Sequence, residues 1–469
     1  MDSSGDYYVL PSHPSLASLD PLGICADENP SVWAVITTSV LSFRNQPAPT
    51  GNLHHLPHLI EDLSYSVHMD GHLDTRFLSS HLLAKYPDPH SPNALLLLHN
   101  ILDAALLLPT LFPIHMIPYL NTQNCSIQLS TTQIRSLLAH QILNTLKRPK
   151  GNDWGCTFVC WYSEPQALGN AVSGYLTSLF DYFSLLADPT IQTTYRYHTL
   201  LSDSPERELS GWTTDQKTPL FDHLIINPTT SAAVPFPHKQ VSCTLVASNS
   251  SPGFGPSCTQ EELVTAACPP LLPLGALFIS PPISSNAAVS VNGHVPIFRW
   301  KGQGREARSL GTHISGEHTF LFLDASELDT SNSTFLADLD PKYLFRDLHK
   351  AFSGFLALKE LGIKEVASPL WGAGAFGGDP VIKTIILTAA AARTGTTLYL
   401  SVDEQRSYQT IGAGLPESPE PLNLIYILQR LQQSCRMMPL EVAMQKLCSK
   451  QAYSCSGGLD LLQSLENTS

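Results

Sequence analysis

At 469 residues the chain exceeds the roughly 250 to 300 residues at which a single core stops growing, so more than one packed unit is expected. Its 43% hydrophobic and 14% charged residues exclude a mostly disordered protein. A formal net charge of -13 excludes a global positive field that would gather nucleic acid by counterion release, so a nucleotide-like ligand must be caught locally.

Residues 1–28 read as a loose tail, with neither a basic start nor an uninterrupted apolar run of the secretory kind. The ten cysteines are scattered without a framework, which favours reduced thiols. Together these features predict residence inside the cell, in nucleus or cytoplasm.

Residues 29–200 read as an α-helical domain, with helical apolar spacing at Trp33 to Phe43, Ala94 to Leu108, Gln133 to Leu146 and Ala171 to Phe183. Strand alternation is scarce here. Ser130 and Gln133 have the spacing of a capping box. The apolar run through Leu108 is too short for a membrane span, carries His99, Asn100 and Asp103, and is ended by Pro109, so it predicts a buried helix. His54, His55 and His58 are split by Pro57, and the Cys156/Cys160 pair has no answering second pair. No metal and no cofactor is assigned.

After residue 200 short apolar runs alternate with helical ones, the pattern of an α/β sheet, with a boundary at Ser202 to Gly211. Expected strands are Leu224 to Ile226, Ser242 to Ala247, Gly275 to Ser280, Thr319 to Asp324, Lys364 to Ala367 and Thr397 to Val402. Expected helices are Glu261 to Ala267, Pro341 to Leu361 and Pro380 to Thr394. Pro416 to Pro421 is a proline-rich break before closing helices at Leu422 to Leu431 and Leu440 to Leu447. The expected division is therefore 1–28 tail, 29–200 helical domain, 201–435 α/β domain and 436–469 C-terminal helical segment.

Two motifs carry chemistry. In Gly372-Ala373-Gly374-Ala375-Phe376-Gly377-Gly378-Asp379, between an apolar run and a helix opened by Pro380, glycines let the backbone approach a phosphate at the positive end of a helix. The Gly-Lys-Ser/Thr ending of a Walker loop is missing, and Phe376 is an unusual residue for a turn. The other motif is Thr259-Gln260-Glu261-Glu262. Thr259 and Glu262 have capping-box spacing, so helix structure alone accounts for an acid there. Adjacent helical residues point about 100 degrees apart, so Glu261 and Glu262 cannot flank one scissile bond as paired carboxylates, and their roles must differ. A helix start lowers a carboxyl pKa, so an acid catalyst there needs burial or a ligand diphosphate to raise it.

In this order the two motifs resemble the QEE triplet and GCGAFGGD-type loop of the poly(ADP-ribose) glycohydrolase family. Tyr343 to Leu356 is similar to that family's helix between the motifs, Phe298-Arg299-Trp300 to its YRW strand, and Leu108 to Thr145 to its helical domain. The resemblance covers roughly residues 95 to 435. It implies an α/β macrodomain-like mixed sheet flanked by helices and preceded by an α-helical accessory domain, and hydrolysis of ribose-ribose bonds in poly(ADP-ribose) without a metal.

Carried over, Glu262 is the acid/base, Glu261 orients the ribose and Gln260 completes the triplet. Gly374, Ala375, Phe376, Gly377 and Gly378 hold the diphosphate, with Phe376 on the terminal ribose side. Asn249 matches an asparagine before the family's glycine loop, and His294 stands where the family has an adenine-stacking tyrosine. The implied partners are poly(ADP-ribose) or ADP-ribosylated proteins, recognised by a monomer with no membrane and no sequence-specific nucleic-acid contact. The chain departs from the pattern at Gly253-Phe254-Gly255, where three consecutive glycines stand farther from QEE in the family, at Val246 in place of an acid, and at Leu370 in place of an asparagine. The altered glycine loop keeps a second reading open, a degenerate macrodomain that binds ADP-ribose or its polymer without cleaving it.

Overall fold

The computed structural model of the chain describes residues 6–46, 51–69, 73–147, 157–200, 212, 218–229, 241–302, 306–328, 336–408, 422–449, 455 and 457–467. Cys156, the expected boundary at 202–211 and the break at Pro416 to Pro421 lie outside the described residues. The chain forms two compact units assembled from separated stretches, the first from 1–196, 251–282 and 291–317 and the second from 197–250, 283–290 and 318–469. The stretch carrying the QEE triplet thus folds with the helical part of the chain.

The first unit is built on α1 (Val32–Arg44), α2 (Leu56–His68), α3 (Arg76–Lys85), α4 (Pro92–Leu106), α5 (Leu108–Leu111), α6 (Thr131–Ile142), α7 (Val159–Tyr162) and α8 (Gly169–Ser184). The capping box predicted at Ser130 is present: its hydroxyl accepts the Gln133 N–H, and the Gln133 side chain accepts the Ser130 N–H. Such a cap contributes about 1 kcal/mol. In α4 the residues Leu97, Leu98, Ile101, Leu102 and Ala105 are buried, while Asn100 donates to the Phe183 carbonyl on α8. This is a core helix, and among the described residues no helix is long and apolar enough to cross a membrane. The three clustered histidines make local contacts: His54 with the Tyr86 carbonyl, His55 with Asn52 and His58 with Glu61.

Strands also enter the N-terminal stretch of this unit, where strand alternation in the sequence is scarce. β1 (Tyr7–Val9) pairs antiparallel with β2 (Met116–Pro118), and β3 (Ser126–Ser130) with β4 (Gln192–Thr199), Ile127 opposite Tyr195. In β3 only Ile127 and Leu129 are buried, against exposed Ser126 and Gln128. Two periods of alternation are too few to stand out from a helical background. β7 (Ala287–Lys301) and β8 (Arg308–Asp324) each contribute residues to both units, and in the first unit the strand order is β3-β4-β7-β8. A further helix, α9 (Gln260–Ala267), carries the triplet.

Gly275 to Ser280 is not a strand. Leu274–Phe278 forms a π-helical turn following the Pro269–Leu271 3-10 turn, all of it buried. A short, uniformly apolar run has no periodicity to separate strand from buried helix, and the prolines preceding it here begin a helical turn.

The second unit holds parallel strands in the order β8-β6-β9-β10-β5, with β5 at Leu224–Thr229, β6 at Cys243–Ser248, β9 at Glu365–Ser368 and β10 at Thr397–Asp403. β6 is interior and reads as a nearly continuous buried run, as a strand covered on both faces should. Its helices are α10 (Pro341–Glu360), α11 (Pro380–Thr394), α12 (Leu424–Ser434), α13 (Leu440–Leu447) and α14 (Gly458–Glu466). The core joins Leu245, Leu321, Leu323, Val366, Leu398 and Leu400 from the strands to Phe355, Leu358, Ile382, Ile385 and Ile386 from the helices. The glycine loop lies between β9 and α11, at the carboxyl end of a parallel strand, where open α/β sheets place their ligands.

Candidate active site

Gln260 is the first residue of α9 and half-buried, while Glu261 and Glu262 are buried to 3% and 1% exposure. Both halves of the Thr259 capping box form. The Thr259 hydroxyl accepts the Glu262 N–H at 3.3 Å, and Glu262 Oε2 accepts the Thr259 N–H at 3.1 Å. Burial pushes the Glu262 carboxyl above its ordinary value of 4.5, outweighing the backbone N–H groups of Thr259, Cys258 and Ser257, which lower it. The capping geometry and a carboxyl pKa raised by burial therefore coexist in one side chain.

Glu261 points elsewhere. Its Oε1 accepts the Gly253 N–H at 2.9 Å, so it ties down the short loop before the helix. The same loop is gripped by aromatic residues: Phe254 packs on Phe158 and Trp161 with ring centroids 4.8 and 5.1 Å apart, and Trp161 Nε1 donates to the Gly255 carbonyl at 3.2 Å. Tyr175 continues the cluster between Trp161 and Trp300. A Cβ on Gly255 would stand 2.7 Å from Glu262 Oε1, so the shortened loop lies directly against the acid.

In the second unit, the glycine loop folds on itself through Gly377 N–H to Gly374 O at 3.0 Å and Gly378 N–H to Gly372 O at 2.9 Å. Arg406 braces it by donating to the Ala373 carbonyl. Gly374 and Ala375 are exposed and Phe376 half-buried; among the described residues the N–H groups of these three find no acceptor. Successive unpaired N–H groups before a helix form an anion-binding concavity. Phe376 does not stand free, as an exposed turn aromatic would. It packs on the unit's core, and its carbonyl accepts the Leu328 N–H at 2.8 Å.

Beneath the loop lies a buried ionic cluster. Lys383, the one cation in the first turns of α11, reaches Asp338 at 2.9 Å and also Asp347. Arg346 bridges Asp347 and Asp324, and Lys350 pairs with Asp324. Burial works to lower the Lys383 pKa, and the carboxylates of Asp347 and Asp338 outweigh it and raise it, so the ammonium persists. Gly372 and Gly378 lie on the Lys383 stem, where a Cβ on Gly378 would come 2.3 Å from Cε. Close approach to a buried lysine is thus a second reason for glycine here, beyond any ligand.

Asn249 is linked to the loop through one intervening segment: its Nδ2 donates to Glu327 Oε1 at 3.3 Å, and the adjacent Leu328 is the residue bonded to Phe376. Val246 is buried in β6 opposite Phe322, and Leu370 packs on the core, so neither altered position leaves a gap. His294 is exposed on β7 and lines a cavity of about 190 Å³ with Arg135, Tyr182, Pro270, Pro296 and His313. Arg135 does not serve the cavity as a free cation: it donates to the Tyr182 and Leu185 carbonyls at the end of α8.

Several of these partners escaped the sequence reading. The aromatic residues Phe158 and Trp161 had a signal in the density of large rings from Phe158 to Tyr162. Lys383 had one in being a charge set among the apolar residues that open its helix. The bond between Glu261 and the Gly253 N–H had none.

Residues 242–409 match the family model described as poly(ADP-ribose) glycohydrolase, Macro domain fold, and residues 96–199 match its helical domain, together more than half of the chain. No curated protein sequence matches. Among solved structures, poly(ADP-ribose) glycohydrolase from Deinococcus radiodurans in complex with ADP-ribose is 14% identical, with 51% of this chain and 95% of that one covered and a TM-score of 0.33. The enzyme from Thermomonospora curvata is 16% identical, covering 44% and 78% with a TM-score of 0.30. Its complex with the inhibitor ADP-HPD is 18% identical, covering 45% and 80%, also at 0.30.

Proposed function

The chain belongs to the poly(ADP-ribose) glycohydrolase family, with that family's macro fold and helical domain, and from this premise we propose that it hydrolyses the ribose-ribose glycosidic bonds of poly(ADP-ribose) to release ADP-ribose. The observation that carries the reading is Glu262: a buried carboxyl at a helix start whose pKa is raised by burial, next to a loop that is shortened yet held by Glu261 and Trp161.

In the proposed reaction the protonated Glu262 gives its proton to the departing ribose oxygen as the glycosidic carbon-oxygen bond breaks, leaving an oxocarbenium-like sugar. Glu262, now a carboxylate, takes a proton from the water that attacks this carbon, and the acid is restored. The unpaired N–H groups of Gly374, Ala375 and Phe376 suit the diphosphate of the ADP-ribose unit, with Gly377 and Gly378 setting the turn. Gln260 and Asn249 complete the proposed ligand contacts, and His294 offers a ring face to the adenine. Glu261 serves by fixing the loop at Gly253, and thereby the place of the ribose. No metal or cofactor enters the scheme. The proposed partners are the polymer and the proteins that carry it, met by a monomer inside the cell.

The test is to incubate purified protein with poly(ADP-ribose) and measure free ADP-ribose, beside Glu262→Gln. The native protein should release ADP-ribose, and the variant should bind it but release none; an unchanged rate in the variant removes Glu262 from the scheme. The altered loop at 253–255 favours one alternative, a reader of ADP-ribose, which polymer bound but uncleaved by the native protein would establish.

A further inference from the structure

The last residue of the glycine loop, Asp379, is held from a part of the chain far along the sequence. Its side chain, 1% exposed, caps α11: Oδ1 accepts the N–H groups of Val381 at 2.8 Å and Ile382 at 3.2 Å. Its other oxygen is not spent on the helix. Oδ2 accepts the Tyr408 hydroxyl at 2.6 Å and the Gly458 N–H at 3.0 Å, and the Asp379 N–H itself donates to Asp338 Oδ2 at 2.8 Å. One carboxylate thus joins the helix start, Tyr408 beyond the end of β10 and the first residue of α14.

Gly458 lies beyond residues 242–409, the stretch that matches the macro fold. Its approach is close enough to forbid a side chain: a Cβ there would stand 2.3 Å from Asp379 Oδ1 and 2.7 Å from Val381 Cβ, atoms fixed by the helix start. The α14 residues Leu461, Leu462 and Leu465 are buried in the same core as Val381 and Ile385, so the helix is seated rather than draped. Asp379 in turn adjoins Gly378, whose N–H closes the loop onto Gly372.

We propose that Asp379 is a positioning residue for the glycine loop, and that α14 sets it through Gly458, so that the C-terminal segment tunes phosphate binding without touching the ligand. The ligand part of this inference rests on the loop being the diphosphate site; the positioning part does not. A side chain at 458 must either push Asp379 off its cap or lift α14 away. Either movement is passed to Gly378 and to the unpaired N–H groups upstream.

The experiment uses the full chain with Gly458→Val and Tyr408→Phe, and Leu358→Ala as a control that truncates the core elsewhere. Deuterium exchange at the Gly377, Gly378 and Asp379 amides is followed in the ligand-free protein, below the melting temperature of every variant, and ADP-ribose affinity is measured separately. Gly458→Val should accelerate exchange at these amides about tenfold and weaken ADP-ribose by a similar factor. Tyr408→Phe should act in the same direction by two- to threefold, roughly one hydrogen bond's worth at the low end, and it decides the matter if Gly458→Val does not fold. Leu358→Ala should lower the melting temperature and change neither local readout. Unchanged loop exchange in Gly458→Val, or in Tyr408→Phe where that variant decides, overturns the proposal, as does an equal change in the control. Accelerated exchange in a protein that binds no ADP-ribose would sustain the positioning role and remove the proposed ligand.

Discussion

Glu261 Oε1 accepts the Gly253 N–H at 2.9 Å, while Glu262 turns back to the N–H of Thr259. Adjacent carboxyls on one helix turn therefore do different work, one holding a loop and the other capping the helix with a pKa raised by burial. If Glu261 acts through the loop, Glu261→Ala should destabilise the protein by about 1 to 3 kcal/mol, the cost of orphaning a buried N–H. Glu261→Gln keeps an acceptor and should recover much of that loss. Urea denaturation of the two variants checks this, and equal losses would refute the loop-anchoring role.

The raised pKa of Glu262 has a definite consequence for stability. The folded protein holds this proton more tightly than the unfolded chain, so its contribution to stability is greatest below 4.5 and is lost as pH rises through the folded value. Glu262→Gln carries no such term. The stability of Glu262→Gln relative to the native protein should therefore rise with pH from 4.5 up through the folded pKa, and denaturant midpoints across that range measure it. Hydrolysis that needs the protonated acid should decline over the upper part of the same window.

Gly255→Ala should damage catalysis out of proportion to stability. The new Cβ would lie 2.7 Å from Glu262 Oε1, and either the carboxyl or the loop must yield. A displacement of about 1 Å is enough to cost roughly a hundredfold in rate. Rate and melting temperature measured on the same preparation separate the two effects. A near-normal rate would show that the carboxyl position is not critical.

Lys383→Met removes the cation shared by Asp338 and Asp347. Uncompensated buried carboxylates cost about 3 to 5 kcal/mol, so the variant should melt well below the native protein. Adding Asp338→Asn should restore part of the loss, because the carboxylate stranded by the first substitution is then gone, while Asp347 keeps Arg346. Thermal melts of the single and double variants are the measurement, and strict additivity would mean that the pair is not coupled.

Much of this molecule is legible in one dimension. Helices such as Pro380–Thr394 and Leu440–Leu447 begin and end where caps, prolines and apolar spacing place them, because those signals act within a few residues. The parallel strands of the second unit are likewise short apolar runs between helices, and the two motifs stand out by their residue types. Family and fold class follow from them.

Long-range pairings are different in kind. Short edge strands such as β3 exist only because a partner at Gln192–Thr199 satisfies their backbone, which no local pattern specifies. The attachment of Glu261 to Gly253, the aromatic grip of Trp161 on the Gly255 carbonyl, and the hold of Gly458 on Asp379 join residues whose chemistry is ordinary until folding removes water around them. The same burial sets Glu262 apart from an ordinary helix cap, which any acid in that position could be, by raising its pKa. Desolvation is a property of the packed environment, and spacing along a chain does not encode it.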